Sequence, residues 1–208
     1  MENPSEFRPI GATTYLCPIP SVLVGCASPK DHPNPNLITI AWAGIVCSKP
    51  PMLSISIRKS RLSHLLISET GEFTVNLVGS SLCEAMDFCG VKSGRDINKF
   101  TSQGLTPIIV EPLKIAPAIA EAPVFLSCKV DRVIELGSHD MFIANILQVH
   151  VNETYFLENG SIDTEAMNLI AYSHGKYHTT SEMLGFFGYS VAKSHILKRR
   201  MPNKEIDK

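Results

Sequence analysis

Arg58, Lys59, Ser60 and Arg61 put three cations within four residues, directly ahead of a run, LSHLLIS, in which Leu62, Leu65 and Leu66 recur at helical spacing. Ser60 is placed to cap that helix. The first turn of a helix carries N–H groups without intrahelical partners, and its dipole favours negative charge there. Phosphate docks at such an end without any glycine-rich loop, and arginine adds bidentate, charge-assisted hydrogen bonds. The same four residues also describe a solvated basic corner, and the segment alone leaves both readings open. A second group of cations, Lys92, Arg95 and Lys99, falls in the loop-rich stretch GVKSGRDINKF, where a solvated loop is the plainer reading.

The elements around these cations follow from periodicity. Leu37 to Ala43 alternates apolar with small or hydroxyl residues and reads as a half-buried strand. After the interruption at Pro50 and Pro51, Met52 to Ile57 resumes as a second strand that delivers the chain to Arg58. The helix from about Leu62 to Ser68 stops where Gly71 can supply a left-handed cap, and Phe73, Val75 and Leu77 mark another strand. Ser80 or Ser81 caps a helix through LCEAMDFCG, and Asp96 caps a short one through INKFTSQG. VFLSCKVDRVIELG and MFIANILQVHVNE form a long hairpin that turns between Gly137 and Asp140. Strands of that length in an antiparallel protein tend to curl into a barrel. Ser21 to Ala27 is a further short strand, Thr164 to Ala171 reads as a helix, and Tyr172, His174 and Tyr177 gather beyond it.

With 208 residues, 44% hydrophobic content and a formal net charge of −1, the chain can bury one sizeable core. That balance argues against a general nucleic-acid binder. Neither a membrane-spanning run nor a secretory leader is legible, so a cytoplasmic protein is expected. Six cysteines lack CxxC or finger spacing and read as buried reduced thiols, and no metal site is assigned. His174 and His178 are the one pair at helical i, i+4 spacing, and the helicity between them is weak. Residues 1–20 suggest an irregular arm, one able to reach a second subunit, and Lys193 to Lys208 a frayed end. GxGxxG, P-loop, GxSxG and HExxH signatures are missing, which removes the common nucleotide and hydrolase readings.

The succession NLITIAWAG, KPPMLSISIRKSRLSHLLISETGEFTVNL, DFCGVKSGRDINKF and GLTPI resembles the flavin reductase-like family of FMN-binding split barrels, most closely its flavoredoxin branch. The match runs from about Val22 to Val151. The resemblance implies a mainly β fold, a six-stranded antiparallel Greek-key split barrel with short helices. It also implies a homodimer that binds FMN near the subunit interface. The whole chain, 1–208, is then one domain, with a core at about 15–155 and a C-terminal helical extension at 156–208.

Carried onto this sequence, the resemblance places Thr39, Ala41, Trp42 and Ala43 beside the flavin ring and Arg58, Ser60, Arg61 and His64 at the ribityl and phosphate groups. Cys89, Ser93 and Lys99 fall near the flavin as well. Asn76 contacts the flavin or pairs with a neighbouring strand, and Cys89 reads as a buried thiol rather than a redox-active one. The expected function is that of an oxidoreductase or electron carrier whose bound FMN takes a hydride or electrons from NAD(P)H or a redox protein. The alternative is a flavin-binding or storage protein without reductase activity. Hydride transfer to flavin requires no general acid or base, so no catalytic side chain is assigned.

Overall fold

The computed structural model describes residues 7–29, 35–180 and 183–201. Residues 1–6 of the expected arm, 30–34 of the proline-rich loop and 202–208 of the expected frayed tail lie outside the described residues. In chain order the strands are β1 (Ile19–Pro20), β2 (Val22–Cys26), β3 (Asn36–Ile40), β4 (Ala43–Ser48), β5 (Pro51–Ile57), β6 (Glu72–Leu77), β7 (Pro107–Ile108), β8 (Ala118–Ile119), β9 (Val124–Glu135), β10 (Asp140–Val151), β11 (Ile170–Ser173) and β12 (Lys176–Thr179). The helices are α1 (Leu62–Thr70), α2 (Cys83–Val91), α3 (Lys99–Ser102) and α4 (Ser194–Arg200).

Seven strands form one antiparallel sheet in the order β3-β2-β6-β9-β10-β5-β4. It curls so that β3 approaches β5, two strands that share no ladder, and the result is a mainly β split barrel with few short helices. The strand expected from Leu37 to Ala43 divides after Ile40, and β4 pairs with β5 on the sheet's outer edge as a seventh strand. The chain leaves both ladders at Ala41 and Trp42, next to the cations at the end of β5.

Alternation explains the packing. In β5, Leu53, Ile55 and Ile57 are buried, and they meet Val22, Val24, Ile38, Ile40, Phe73, Val75 and Phe142 inside the curl. Leu66 and Ile67 of α1 close this core. The opposite face of β2 and β3, through Leu23 and Leu37, packs on Met86, Cys89 and Phe100 of α2 and α3. The β2 strand is therefore buried on both faces, and Gly25 is needed there because a Cβ would fall 2.1 Å from the Pro117 carbonyl oxygen. Each large apolar side chain buried in these clusters stabilises the fold by about 1.5–3 kcal/mol.

Several local expectations are corrected. Ser60 is not the cap of α1: Arg61 occupies the N-cap position without a side-chain bond, and the Ser60 carbonyl instead accepts from Arg95 Nη1 at 3.0 Å. Gly71 does end α1, at φ 65°. Ser80 and Ser81 sit inside a 3-10 turn that leads into α2, because Ser80 is engaged by Asn168 through both backbone and side chain. Asn98, not Asp96, caps α3 by accepting from the Thr101 N–H at 3.1 Å.

The helix expected over Thr164 to Ala171 is a turn followed by β11, because β1 offers an edge to pair with. The C-terminal region is correspondingly a hairpin, β11–β12, with only α4 as an α-helix among the described residues after 156. The segment from Lys193 contains that helix. No helix of the described residues is long and apolar enough to cross a membrane, and none of their His, Cys, Asp and Glu side chains gather in a group of three or more suited to a metal.

Candidate functional site

The start of α1, the end of β5 and the loop after α2 surround a cavity of about 460 Å³. Five cationic residues line it, Arg58, Arg61, Lys92, Arg95 and Lys99, and no carboxylate does. Among the described residues, neither the Arg58 nor the Arg61 guanidinium has an ion-pair partner. Leu62 and Ser63 also line the wall, so the first turn of α1 opens into the cationic space. An anion with several oxygen acceptors suits this lining.

Lys99 forms the floor. It is buried, and its Nζ donates to the Leu37 and Cys89 carbonyls at 2.7 Å each. Those bonds use two of its three donors. Burial pushes its ammonium below the ordinary lysine value, and Arg61 acts in the same direction. Beside it, burial pushes the Cys89 thiol up to about 11, which keeps it protonated at neutral pH. Asn36 Nδ2 donates to Ser63 Oγ at 2.8 Å and ties the start of β3 to α1. Gly94 packs against that asparagine so closely that a Cβ would lie 2.0 Å from Asn36 Oδ1.

A second, shallower lobe of about 190 Å³ continues along β3, lined by Thr39, Ile40, Ala41, Trp42, Ser56 and His139. Ile38, Arg58 and Arg61 line both lobes, so the two form one trough with a cationic end and a strand-lined end. Trp42 is 44% exposed and faces His139 with ring centroids 4.6 Å apart, so it belongs to the wall of the trough and not to the core. Burial, and then the Arg58 guanidinium, hold His139 below the ordinary histidine value. The trough thus offers charge at one end and small side chains with an aromatic wall at the other, the layout expected for a phosphorylated planar ligand.

Of the residues singled out in the sequence, Thr39, Ala41, Trp42, Arg58, Ser60, Arg61, Cys89, Ser93 and Lys99 line this trough. Thr39 does so with its hydroxyl donated to the Met86 carbonyl. Ala43, His64 and Asn76 do not line it. Ala43 begins β4, and the His64 ring is turned to Asp140, 2.8 Å away. Asn76 is fully buried, donating to the Leu23 carbonyl and accepting from the Ile119 N–H, which makes it a clasp between β2, β6 and β8. Sequence reasoning missed Asn36, Ser63, Gly94 and His139. The small residues of GVKSGR and the turn SHD were the available signals, but neither shows its neighbours in space.

A curled antiparallel sheet with a cation-ended trough at the β5–α1 junction defines a split-barrel protein. The chain belongs to the family of the flavin reductase like domain, whose model matches residues 14–181, and within it to the flavoredoxin branch. It is similar to flavoredoxin of Desulfovibrio vulgaris (Miyazaki F), with 31% identity, a TM-score of 0.82, and coverage of 90% of this chain and 100% of that one. Flavoredoxin from Methanosarcina acetivorans gives 28% identity and a TM-score of 0.79 over 95% of this chain and 100% of the other. A Shewanella frigidimarina protein described by its split barrel domain aligns at 24% identity and a TM-score of 0.71, over 81% and 85% of the two chains, a likeness that bears on the fold alone.

Proposed function

We propose that the trough binds FMN, phosphate in the cationic lobe and ring in the lobe between Ile38 and Trp42, and that the protein acts as an oxidoreductase or electron carrier of the flavoredoxin type. NAD(P)H or a redox protein supplies the electrons in this reading. The observation that carries it is the continuity of the two lobes through Arg58 and Arg61. A single cationic lobe at one end suits a terminal phosphomonoester, which favours FMN over FAD.

When bound, flavin accepts a hydride or single electrons, and the protein supplies placement and polarity. Arg58, Arg61 and the first turn of α1 bind the phosphate, and Lys99 holds a positive charge at the floor, fixed by two carbonyls. Trp42 and His139 bound the ring lobe. Cys89 serves as a protonated wall residue.

A homodimer is part of the same proposal. Ile45 and Val46 are exposed on the edge strand β4, and Leu147 and Val149 on β10, an apolar surface that a second copy would cover. All six cysteines are free thiols, which supports a cytoplasmic setting.

The test is titration of flavin-free protein with FMN, for the wild type and for Arg61→Ala. Loss of one charge-assisted contact costs about 1.5–3 kcal/mol, which is about 10- to 150-fold in affinity. Equal affinities would sink the phosphate assignment. Bleaching of the loaded protein by NADH or NADPH separates an enzyme from the alternative, a carrier or storage protein that stays oxidised until a reduced protein partner or dithionite is supplied.

A further inference from the structure

A third cavity, of about 390 Å³, shares Trp42 with the strand-lined lobe and is lined by Thr13, Thr14, Tyr15, Leu16, Ile19 and Trp42. Its size falls in the range of small-molecule sites, about 300–1,000 Å³. No lining residue carries a charge, in contrast to the cationic lobe. Thr13, Thr14 and Tyr15 bring three hydroxyls to this lining, and among the described residues those hydroxyls have no hydrogen-bond partner.

The arm that forms this wall is anchored. Ile19 pairs with Tyr172, which joins β1 to the β11–β12 hairpin. At the tip of that hairpin His174 takes φ 45° ahead of Gly175, and its ring meets Tyr15 with centroids 3.8 Å apart. Tyr15 is thereby held as a wall while 59% exposed, beside Leu16 at 77%.

We infer that this cleft is a second ligand site, for a neutral, ring-bearing small molecule that packs on Trp42 next to the ring lobe. The inference rests on the proposed function for the identity of the neighbouring ligand. Apolar walls and aromatic rings favour a flat apolar body, and the three hydroxyls orient a single polar substituent. A charged compound is disfavoured, because no charged residue in the lining compensates an ionised group partly removed from water. The phosphates of a pyridine dinucleotide find no cationic partner in this lining either.

The probe is 2-naphthol, neutral at pH 7, with 2-naphthalenesulfonate as its charged counterpart. Calorimetry on FMN-saturated protein reads binding beside an occupied ring lobe. Emission of Trp42, the one tryptophan in the chain, reads it in flavin-free protein. The naphthol is expected to bind in both states, the sulfonate to bind about tenfold more weakly, and Leu16→Asp to weaken the naphthol by about tenfold, the size of one desolvated contact. Leu16 is exposed, so the substitution leaves folding and FMN affinity intact, which thermal melting and FMN titration check.

Displacement of the naphthol by FMN would place it in the ring lobe and overturn the inference. Equal binding by Leu16→Asp would do the same. So would a failure to bind together with a dimer in sedimentation that Leu16→Asp dissociates, since a second copy would then fill the cleft. If FMN itself fails to bind while naphthol quenching remains dependent on Leu16, the flavin reading falls and the second site stands.

Discussion

His64 Nε2 lies 2.8 Å from Asp140 Oδ2, which ties the first turn of α1 to the first residue of β10 across 76 positions of sequence. Asp140 is buried, and its Oδ1, which has no hydrogen-bond partner among the described residues, lies 3.5 Å from Lys59 Nζ. The residue before Asp140 is His139, which faces Trp42 in the strand-lined lobe. One pair therefore fixes two parts of the trough: the helix start beside the cationic lobe and the hairpin end beside the strand-lined lobe.

Removing either member leaves a largely buried polar group without its partner. His64→Ala and Asp140→Ala should each cost about 1–3 kcal/mol in urea unfolding. The double variant should cost clearly less than their sum, because the two share one interaction. Additive losses would show that the contact contributes nothing. FMN affinity should fall in both single variants although neither side chain lines the trough.

Lys99 combines a structural and an electrostatic role, and pH separates them. Its pKa is held down by burial, so the folded state binds fewer protons than the unfolded chain between that value and 10.5. From this group alone, stability rises as the pH passes upward through the lowered pKa, while anion affinity falls because the charge is lost. FMN affinity followed upward from pH 7 should weaken earlier in the wild type than in Lys99→Arg. Lys99→Met should also destabilise the fold by about 1–3 kcal/mol, since it strands the Leu37 and Cys89 carbonyls.

Gly94→Ala tests the close approach to Asn36. The added Cβ displaces the asparagine from Ser63 and shifts the mouth of the cationic lobe. A cost of about 1–3 kcal/mol in stability is expected, together with weaker FMN binding in a calorimetric titration. Unchanged values for both would mean that Asn36 moves aside freely.

The buried thiols predict an alkaline limit to stability. Burial pushes Cys26 to about 11 and Cys128 to about 12, from an ordinary value of 9.0. The folded state keeps these protons after the unfolded chain has lost them. Their contribution is complete below pH 9 and is lost as the pH climbs through the raised values. Urea midpoints should fall across that window, and Cys128→Ala should flatten the fall. An identical slope in the variant would rule out this thiol as a source.

Much of this molecule follows from patterns a few residues long. Alternation marked β5, β6 and the β9–β10 hairpin, and the step from a strand into Arg58, Arg61 and an apolar helical run marked the cationic end of the trough. These signals are local: period, charge density and the left-handed glycine that ends α1 need no distant partner. Thr164 to Ala171 shows where that stops. Its apolar spacing suits a helix, yet the open edge of β1 drew Ile170 to Ser173 into a strand.

Side-chain direction was the other thing hidden from the sequence. Near Arg61, His64 read as a ligand of the ribityl and phosphate groups, and Asn76 as a residue that contacts the flavin or pairs with a neighbouring strand. Asp140 claims the first, and the Leu23 carbonyl and Ile119 N–H claim the second. The sequence by itself determined the long strands of the hairpin, the β5 and β6 strands, the charge and the family likeness. Only the tertiary structure decided which polar groups face the trough, because a hydrogen bond is directional and its partner here lies up to 76 residues away.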